Sequence, residues 1–461
     1  MFETYVYVKR RKLLTEQMKS GIILLPGNVE SPMNYPANPY HFRQDSSFLY
    51  FFGLDNPGFA GLIDVDEKKD YIFGEDFTID DIIWMGPQPT VKELAQQVGV
   101  THTGSLAQMK EKIDTAISQD RKIHFLPPYR PENLLQLENL LGIASSSIKQ
   151  YASVDLIKAV VAQRSIKSET EINEIEKALE ISAEMYSTVM QMASPGTYER
   201  EIAGAIEGIV NSYGGHISFP IILSVHGETL HNHHHGNKLE KNHLLVTDSG
   251  AESPGHYASD ITRTFPVGGN FTSQQKDIYQ IVLDSQLAAI EAMKPGKPYK
   301  EIHLQVAKII ASGLKDVGLM KGDMDAAVKE GAHALFFPHG LGHMMGLDVH
   351  DMEDLGEDYV GYDETVKRSD QFGLAYLRMA KALQPGHVIT VEPGIYFIPA
   401  LIDKWKAENK FTDFINYSKV ETYKGFGGIR IEDDVSVTKD GHRVLGKPIP
   451  KSIDEIESLM T

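Results

Sequence analysis

Four short apolar, strand-like runs in the second half of this 461-residue chain each carry a carboxylate where a strand would ordinarily hold a hydrocarbon. Asp248 ends HLLVTD, Asp260 sits in YASDITRTFPV, Glu392 closes HVITVE and Glu432 lies in GGIRIEDDVSV. Burying an ionised carboxylate is costly unless a cation or hydrogen-bond donors compensate it. The chain must therefore either turn these groups to water or gather them around positive charge.

Asp248 and Asp260 are equidistant from Pro254 in the turn signal Ser253-Pro254-Gly255. Two strands paired about Pro254 are expected to set the aspartates opposite each other, about 4.5 to 5.5 Å apart at Cβ. At that spacing they repel unless a cation lies between them. The ordinary alternative is two solvated aspartates beside a turn.

Imidazoles follow in FFPHGLGHMMGLDVHD, at His339, His343 and His350. A spacing of four could place His339 and His343 on one helix face, but Gly340 and Gly342 favour a glycine-rich loop that approaches a ligand closely. For His339 the plainer alternative is a buried ring satisfied by a carbonyl. Glu392 precedes Pro393-Gly394, at the end of a buried strand. Arg430 and Glu432 share one strand face by the period of two, with a surface ion pair as the alternative. The run HNHHHGN is read as an exposed polar loop, and Asn232 to His235 are not counted as ligands.

The absence of cysteine removes disulfides, thiolate nucleophiles and Cys-based metal sites. Any metal must sit on oxygen and imidazole. A net charge of −18 without a compensating basic block disfavours nucleic acid and anionic lipid as partners. The chain shows no signal-peptide core and no stretch approaching the ~18 apolar residues of a membrane span, so cytoplasmic residence is the default expectation. Hydrophobic residues at 42% and charged residues at 23% suit a soluble globular protein.

Single cores stop growing near roughly 250 to 300 residues, so two or three domains are expected. The opening third reads as α/β: a helix over residues 5 to 19, then short strands GIILLPGN, SSFLYFFGL and AGLIDVD. No chemistry stands out there, and a supporting or gating role is expected. The pattern changes at LIKAVVAQRSIKSETEINEIEKAL, where Ser168-Glu169 marks the start of a long amphipathic helix. The domains are therefore set at 1–157 and 158–461. Beyond Pro195, amphipathic helices (199 to 213, 273 to 294, 299 to 318) alternate with strand-like runs, predicting an α+β domain around an antiparallel sheet.

Four carboxylates and an imidazole suit two hard or borderline divalent ions, with Mn2+, Co2+ and Zn2+ all chemically acceptable. HExxH, GxSxG, GxxxxGK[ST] and a strand-linked GxGxxG are absent, which removes the other hydrolase templates.

VTDSGAE, YASDITRTFPVGG, HGLGHMMGLDVHD, ITVEPGIYF and GIRIEDDV together resemble the pita-bread metallopeptidases, specifically the aminopeptidase P and prolidase branch. The segment from RRKLLTEQM through HFRQDSSFLYFFGLDNPG is similar to that branch's creatinase-like α/β N-domain. Methionine aminopeptidases share the ligands but usually lack this domain, and noncatalytic pita-bread modules lose ligands.

The resemblance implies an α+β pita-bread catalytic domain and two divalent ions, Mn2+ first among them, held by Asp248, Asp260, His343, Glu392 and Glu432. It also implies a substrate-facing His231, an oxyanion-contacting His350, an orienting Arg430, a His339 near the proline pocket, and Glu392 as proton acceptor. The substrates implied are Xaa-Pro peptides, and the assembly a homo-oligomer, dimer or tetramer. Arg378 in LAYLRMAKALQPG matches a prolidase arginine that binds a dipeptide carboxylate. Residues 268 to 340 read closer to bacterial aminopeptidase P, which puts Xaa-Pro aminopeptidase ahead of Xaa-Pro dipeptidase.

Overall fold

The computed structural model describes residues 2–460 and divides the chain into two compact units. One runs through Arg164 and includes Asp354–Tyr359; the other comprises Ser165–Glu353 and Val360 onward. The division lies beyond the 157/158 boundary expected from sequence. The reason is that helix Val154–Arg164 is continuous, and Arg164 Nη1 donates to Ser47 Oγ at 3.0 Å within the first unit.

The first unit is built on a five-stranded mixed sheet in the order His102–Gly104, Lys69–Phe73, Ala60–Asp64, Ile22–Pro26, Ile123–His124. The three consecutive strands of the middle pair antiparallel, and the two outer strands add in parallel. Apolar side chains of the central strands, Ile22, Leu24 and Leu62, pack with Ile113 and Leu137 from helices Leu106–Ser118 and Pro131–Leu141. The opening helix covers Thr4–Gln17, close to the expected span, whereas SSFLYFFGL, expected as a strand, is the helix Ser46–Phe52: Asp45 caps its start, left-handed Gly53 ends it, and it is buried on all sides, which hid the helical period.

In the second unit, helix Glu169–Met192 begins at the capping box of Ser168 and Glu171, where the sequence marked it. Helices Glu199–Ser212, Ser273–Ala292 and Tyr299–Asp316 follow the amphipathic runs. The strands form small antiparallel sheets. Leu244–Ser249 lies between Ile222–Ser224 and Ile261–Pro266, Asp433–Val437 lies between Val388–Val391 and His442–Val444, and Gly394–Tyr396 pairs with Gly428–Arg430. Leu244–Ser249 is buried along its whole length, which is why it opens on the unbroken apolar run Leu244-Leu245-Val246 rather than an alternation. Among the described residues no helix is long and apolar enough to cross a membrane.

Candidate metal centre

The hairpin carrying the aspartates is offset from its expected register. Asp248 faces Thr262, and the same register continues through the bridge Glu252↔Ala258, so the turn centres on Gly255 rather than Pro254. Turn geometry explains the shift: Ser253 N–H donates to Tyr257 O at 2.9 Å, and His256 takes a left-handed φ of 65°. Asp260 consequently sits just ahead of its strand, two residues from the position opposite Asp248. Because side chains alternate with a period of two, an offset of two keeps both carboxylates on one face. Gly250 is required for this approach, since a Cβ there would lie 1.8 Å from Ser259 O.

Glu432 joins the same face through the bridge Thr262↔Glu432. Its N–H donates to Thr262 O at 3.0 Å, and its Oε2 accepts from Thr262 Oγ1 at 2.7 Å. Glu392 follows strand Val388–Val391, with its N–H on Leu341 O at 2.8 Å. His343 lies on a glycine loop, as expected, laced to the same strand: Thr390 N–H donates to His343 O, and His343 N–H to Thr390 Oγ1. A Cβ on Gly342 would stand 1.9 Å from Thr390 O, so a side chain at that position would push the loop away.

His343 Nδ1 lies 3.1 Å from Met344 O, which can only accept. The hydrogen therefore resides on Nδ1 and the Nε2 lone pair is free to ligate. Burial first, then the neighbouring His350, hold this imidazole well below its usual value and thus neutral. Its Nε2 is 3.4 Å from Asp260 Oδ2 and 3.8 Å from Glu392 Oε1. Asp260, His343 and Glu432 each present a donor atom within 4.8 Å of the others.

The carboxyls are short of positive charge. Asp260 is pushed far above the usual carboxylate range by burial, then by Glu432 and Asp248; Glu432 is pushed likewise by burial, Glu392 and Asp248. Glu392 rises to about 7, chiefly through burial. Asp248 Oδ1 and Asp260 Oδ1 are buried without a hydrogen-bond partner. Orphaned anionic oxygens facing a neutral imidazole fit divalent cations with oxygen and nitrogen coordination. The Arg–Glu surface pair entertained for Arg430 and Glu432 is not what forms, since both are buried and both bond Thr262.

Around this group runs a chain of polar contacts. Arg430 Nη2 meets Asp248 Oδ2 at 2.5 Å, and Arg430 Nη1 donates to Tyr396 OH at 2.8 Å. His339 Nε2 lies 2.9 Å from that hydroxyl while its Nδ1 lies 2.8 Å from Gly340 O. The carbonyl fixes the hydrogen on Nδ1, so Tyr396 donates to Nε2. Burial keeps His339 neutral, down to about 3. His339 thus has the carbonyl contact of the plain reading and also a place in the site, 3.7 Å from Glu392.

The His350 ring lies 4.0 Å from that of His343, tilted by 53°, and pairs through Nδ1 with Glu353, which Arg378 Nε approaches to 3.5 Å. His231 lies on an exposed loop; desolvation and then the Arg430 charge lower it, and Asp248, Arg378 and His350 also act on it. The cluster of three metal donors does not include the HNHHH run, where His235 Nε2 is taken by Ile221 O. Sequence reasoning missed Tyr396, Thr262 and Thr390. The one available signal for Tyr396 was its period-two relation to Gly394, opposite Arg430 across the strand pair.

Residues 173–439 match the model for metallopeptidase family M24, and residues 7–124 match that for the aminopeptidase P N-terminal domain. The human Xaa-Pro dipeptidase is 33% identical, over 99% of this chain and 93% of its own length. The Escherichia coli Xaa-Pro aminopeptidase is 30% identical, over 98% and 97%. Among solved structures, a Pseudomonas aeruginosa aminopeptidase superposes with a TM-score of 0.82 at 27% identity, covering 100% of this chain and 98% of that one. E. coli aminopeptidase P with the inhibitor Pro-Leu gives 0.80 at 28%, with the same coverage. The two-domain architecture expected from sequence therefore stands: an aminopeptidase P N-terminal domain precedes a pita-bread domain. This chain belongs to metallopeptidase family M24, as a hydrolase of its aminopeptidase P and prolidase branch.

Proposed function

We propose that the protein is an Xaa-Pro aminopeptidase that releases the residue preceding proline from the N-terminus of a peptide, using two divalent cations, Mn2+ by preference, with Co2+ or Zn2+ as alternatives. The observation that carries this reading is the convergence of Asp260, His343 and Glu432, with Asp248 and Glu392 beside them, as buried donors short of positive charge. Asp248, Asp260, His343, Glu392 and Glu432 would hold the cations. When bound, such ions polarise the carbonyl and lower the pKa of water from 15.7 toward about 7.

The chain's own residues do the rest. Glu392 takes the proton of the attacking water and delivers it to the departing proline nitrogen, as the new C–O bond forms and the C–N bond breaks. His350, oriented by Glu353 through Nδ1, stands beside the oxygen that gains negative charge and donates to it from Nε2 when both ring nitrogens carry hydrogen. Arg430 orients Asp248 and, through Tyr396, His339, whose partly exposed ring offers a wall for the proline ring. His231 faces the substrate from its loop. Proline lacks an N–H and fixes φ, so recognition rests on ring shape rather than on a backbone hydrogen bond.

One observation favours a second reading, Xaa-Pro dipeptidase. Arg378 is near enough for His231, His339, His343 and Glu392 to feel its charge, and it could hold the free carboxylate of a dipeptide. Comparing kcat/KM for Gly-Pro and Gly-Pro-Ala with Mn2+ decides between the two. Preference for the tripeptide is expected, and inactivity on both with metal bound would overturn the enzymatic assignment. The same reading places the enzyme in the cytoplasm as a homo-oligomer. An apolar helix at Ile79–Met85, with Trp84 85% exposed, supports self-association, which sedimentation tests.

A further inference from the structure

Away from the candidate ligands, a lysine and an aspartate are buried against each other: Lys167 Nζ lies 2.7 Å from Asp351 Oδ2, and each side chain is 1% exposed. Two charges are seldom taken out of water for stability alone, because their desolvation offsets most of their attraction. What they hold is therefore informative.

Asp351 closes a turn. Its N–H donates to Met344 O at 2.9 Å, so the residues just outside and inside that closure, His343 and His350, leave the turn side by side. Their rings meet at 4.0 Å. Within the turn, Gly346 N–H bonds Asp348 O, and a Cβ on Gly346 would strike the Asp351 carboxylate at 2.5 to 2.9 Å. Outside it, Met345 N–H bonds Val388 O on the strand that leads to Glu392. Lys167 is itself fixed, its N–H on Gly386 O at 2.8 Å just ahead of that strand. The ion pair thus ties the histidine turn to the segment that carries the glutamate.

We infer that the buried Lys167–Asp351 pair is a positioning clamp that sets His350 against His343 and Glu392, acting on turnover through His350. Neither residue touches substrate. The inference rests on the proposed role of His350 in stabilising the developing charge. Breaking the clamp should lower kcat and leave KM nearly unchanged, because the interaction lost matters in the transition state.

The test is a double-mutant cycle on a Xaa-Pro tripeptide with Mn2+, measuring kcat, KM and bound metal for Asp351→Asn, His350→Ala and the two combined. Asp351→Asn should cut kcat on the order of 10- to 100-fold, the usual range for outer partners of such sites, with metal content unchanged. In the His350→Ala background it should cost little more. A full and independent loss there, or wild-type kcat for Asp351→Asn, overturns the clamp. If Asp351→Asn does not fold, Lys167→Met with Asp351→Leu removes both charges and refills the space; it should remain slow, and wild-type turnover from it overturns the inference. Undiminished kcat in His350→Ala alone would remove the functional premise as well. A slow His350→Ala beside a fast Asp351→Asn removes only the clamp.

Discussion

Arg430 Nη2 stands 2.5 Å from Asp248 Oδ2, both side chains buried, and the same guanidinium donates to Tyr396 and Thr262. Among its partners, Asp248 is a candidate ligand and Thr262 also bonds Glu432, another. Removing the guanidinium would leave Asp248 charged, buried and without its partner. Arg430→Ala should therefore destabilise the metal-free protein by roughly 3–5 kcal/mol and depress kcat even when metal is restored. Urea titration of chelator-treated protein checks the first effect. A stability within error of wild type would count against the buried pair.

Asp260→Asn acts in the opposite direction on the metal-free fold. Asp260 gains no stability from its charge there, since burial and the neighbouring carboxylates work against ionisation. The amide should leave the metal-free melting temperature unchanged or raised, while weakening Mn2+ binding and abolishing hydrolysis. Calorimetric titration with Mn2+ beside a melting curve measures both. Undiminished turnover would refute the ligand set.

How far these features can be read from sequence depends on whether their cause is local. Gly340 and Gly342 favoured a loop over a regular helix at His343, and the structure supplies the reason in Thr390 O, 1.9 Å from where a Cβ on Gly342 would fall. The capping box at Ser168 likewise marked a helix start from neighbours alone. The hairpin register slipped because Ser253-Pro254-Gly255 points to Pro254, whereas His256 at φ 65° moves the centre one residue on. The Lys167–Asp351 pair left no local trace. The partners in that ion pair are 184 residues apart, and only the packed sheet brings them together.

Arg378→Ala separates the two substrate readings. Arg378 Nε is 3.5 Å from Glu353, which is drawn to about 2 mainly by its bond with His350. If Arg378 holds a dipeptide carboxylate, its loss should raise KM about tenfold or more for Gly-Pro, corresponding to about 1.4 kcal/mol or more. KM for Gly-Pro-Ala should change less. Equal effects on both peptides would leave Arg378 with no role in reading the terminus.

In the metal-free protein the carboxyl cluster should contribute less stability as pH rises. Glu392 is raised from 4.5 to about 7 in the folded state, with Asp260 and Glu432 displaced in the same direction. A carboxyl whose folded pKa lies above its unfolded value binds its proton more tightly when folded, so its stabilisation is complete below 4.5 and is lost as pH passes through 7. Buried neutral histidines such as His339 and His343 act in the opposite direction, so the effect is read as a difference: relative to Glu392→Gln, chelator-treated wild type should lose urea stability between about pH 5 and about pH 8. Saturating Mn2+ should reverse the trend, because cations bind the ionised carboxylates and stabilise the state that binds them. A difference between wild type and Glu392→Gln that is flat or climbs with pH in the chelated proteins would mean this carboxyl is already compensated without metal, and the charge deficit assigned to the site would be absent.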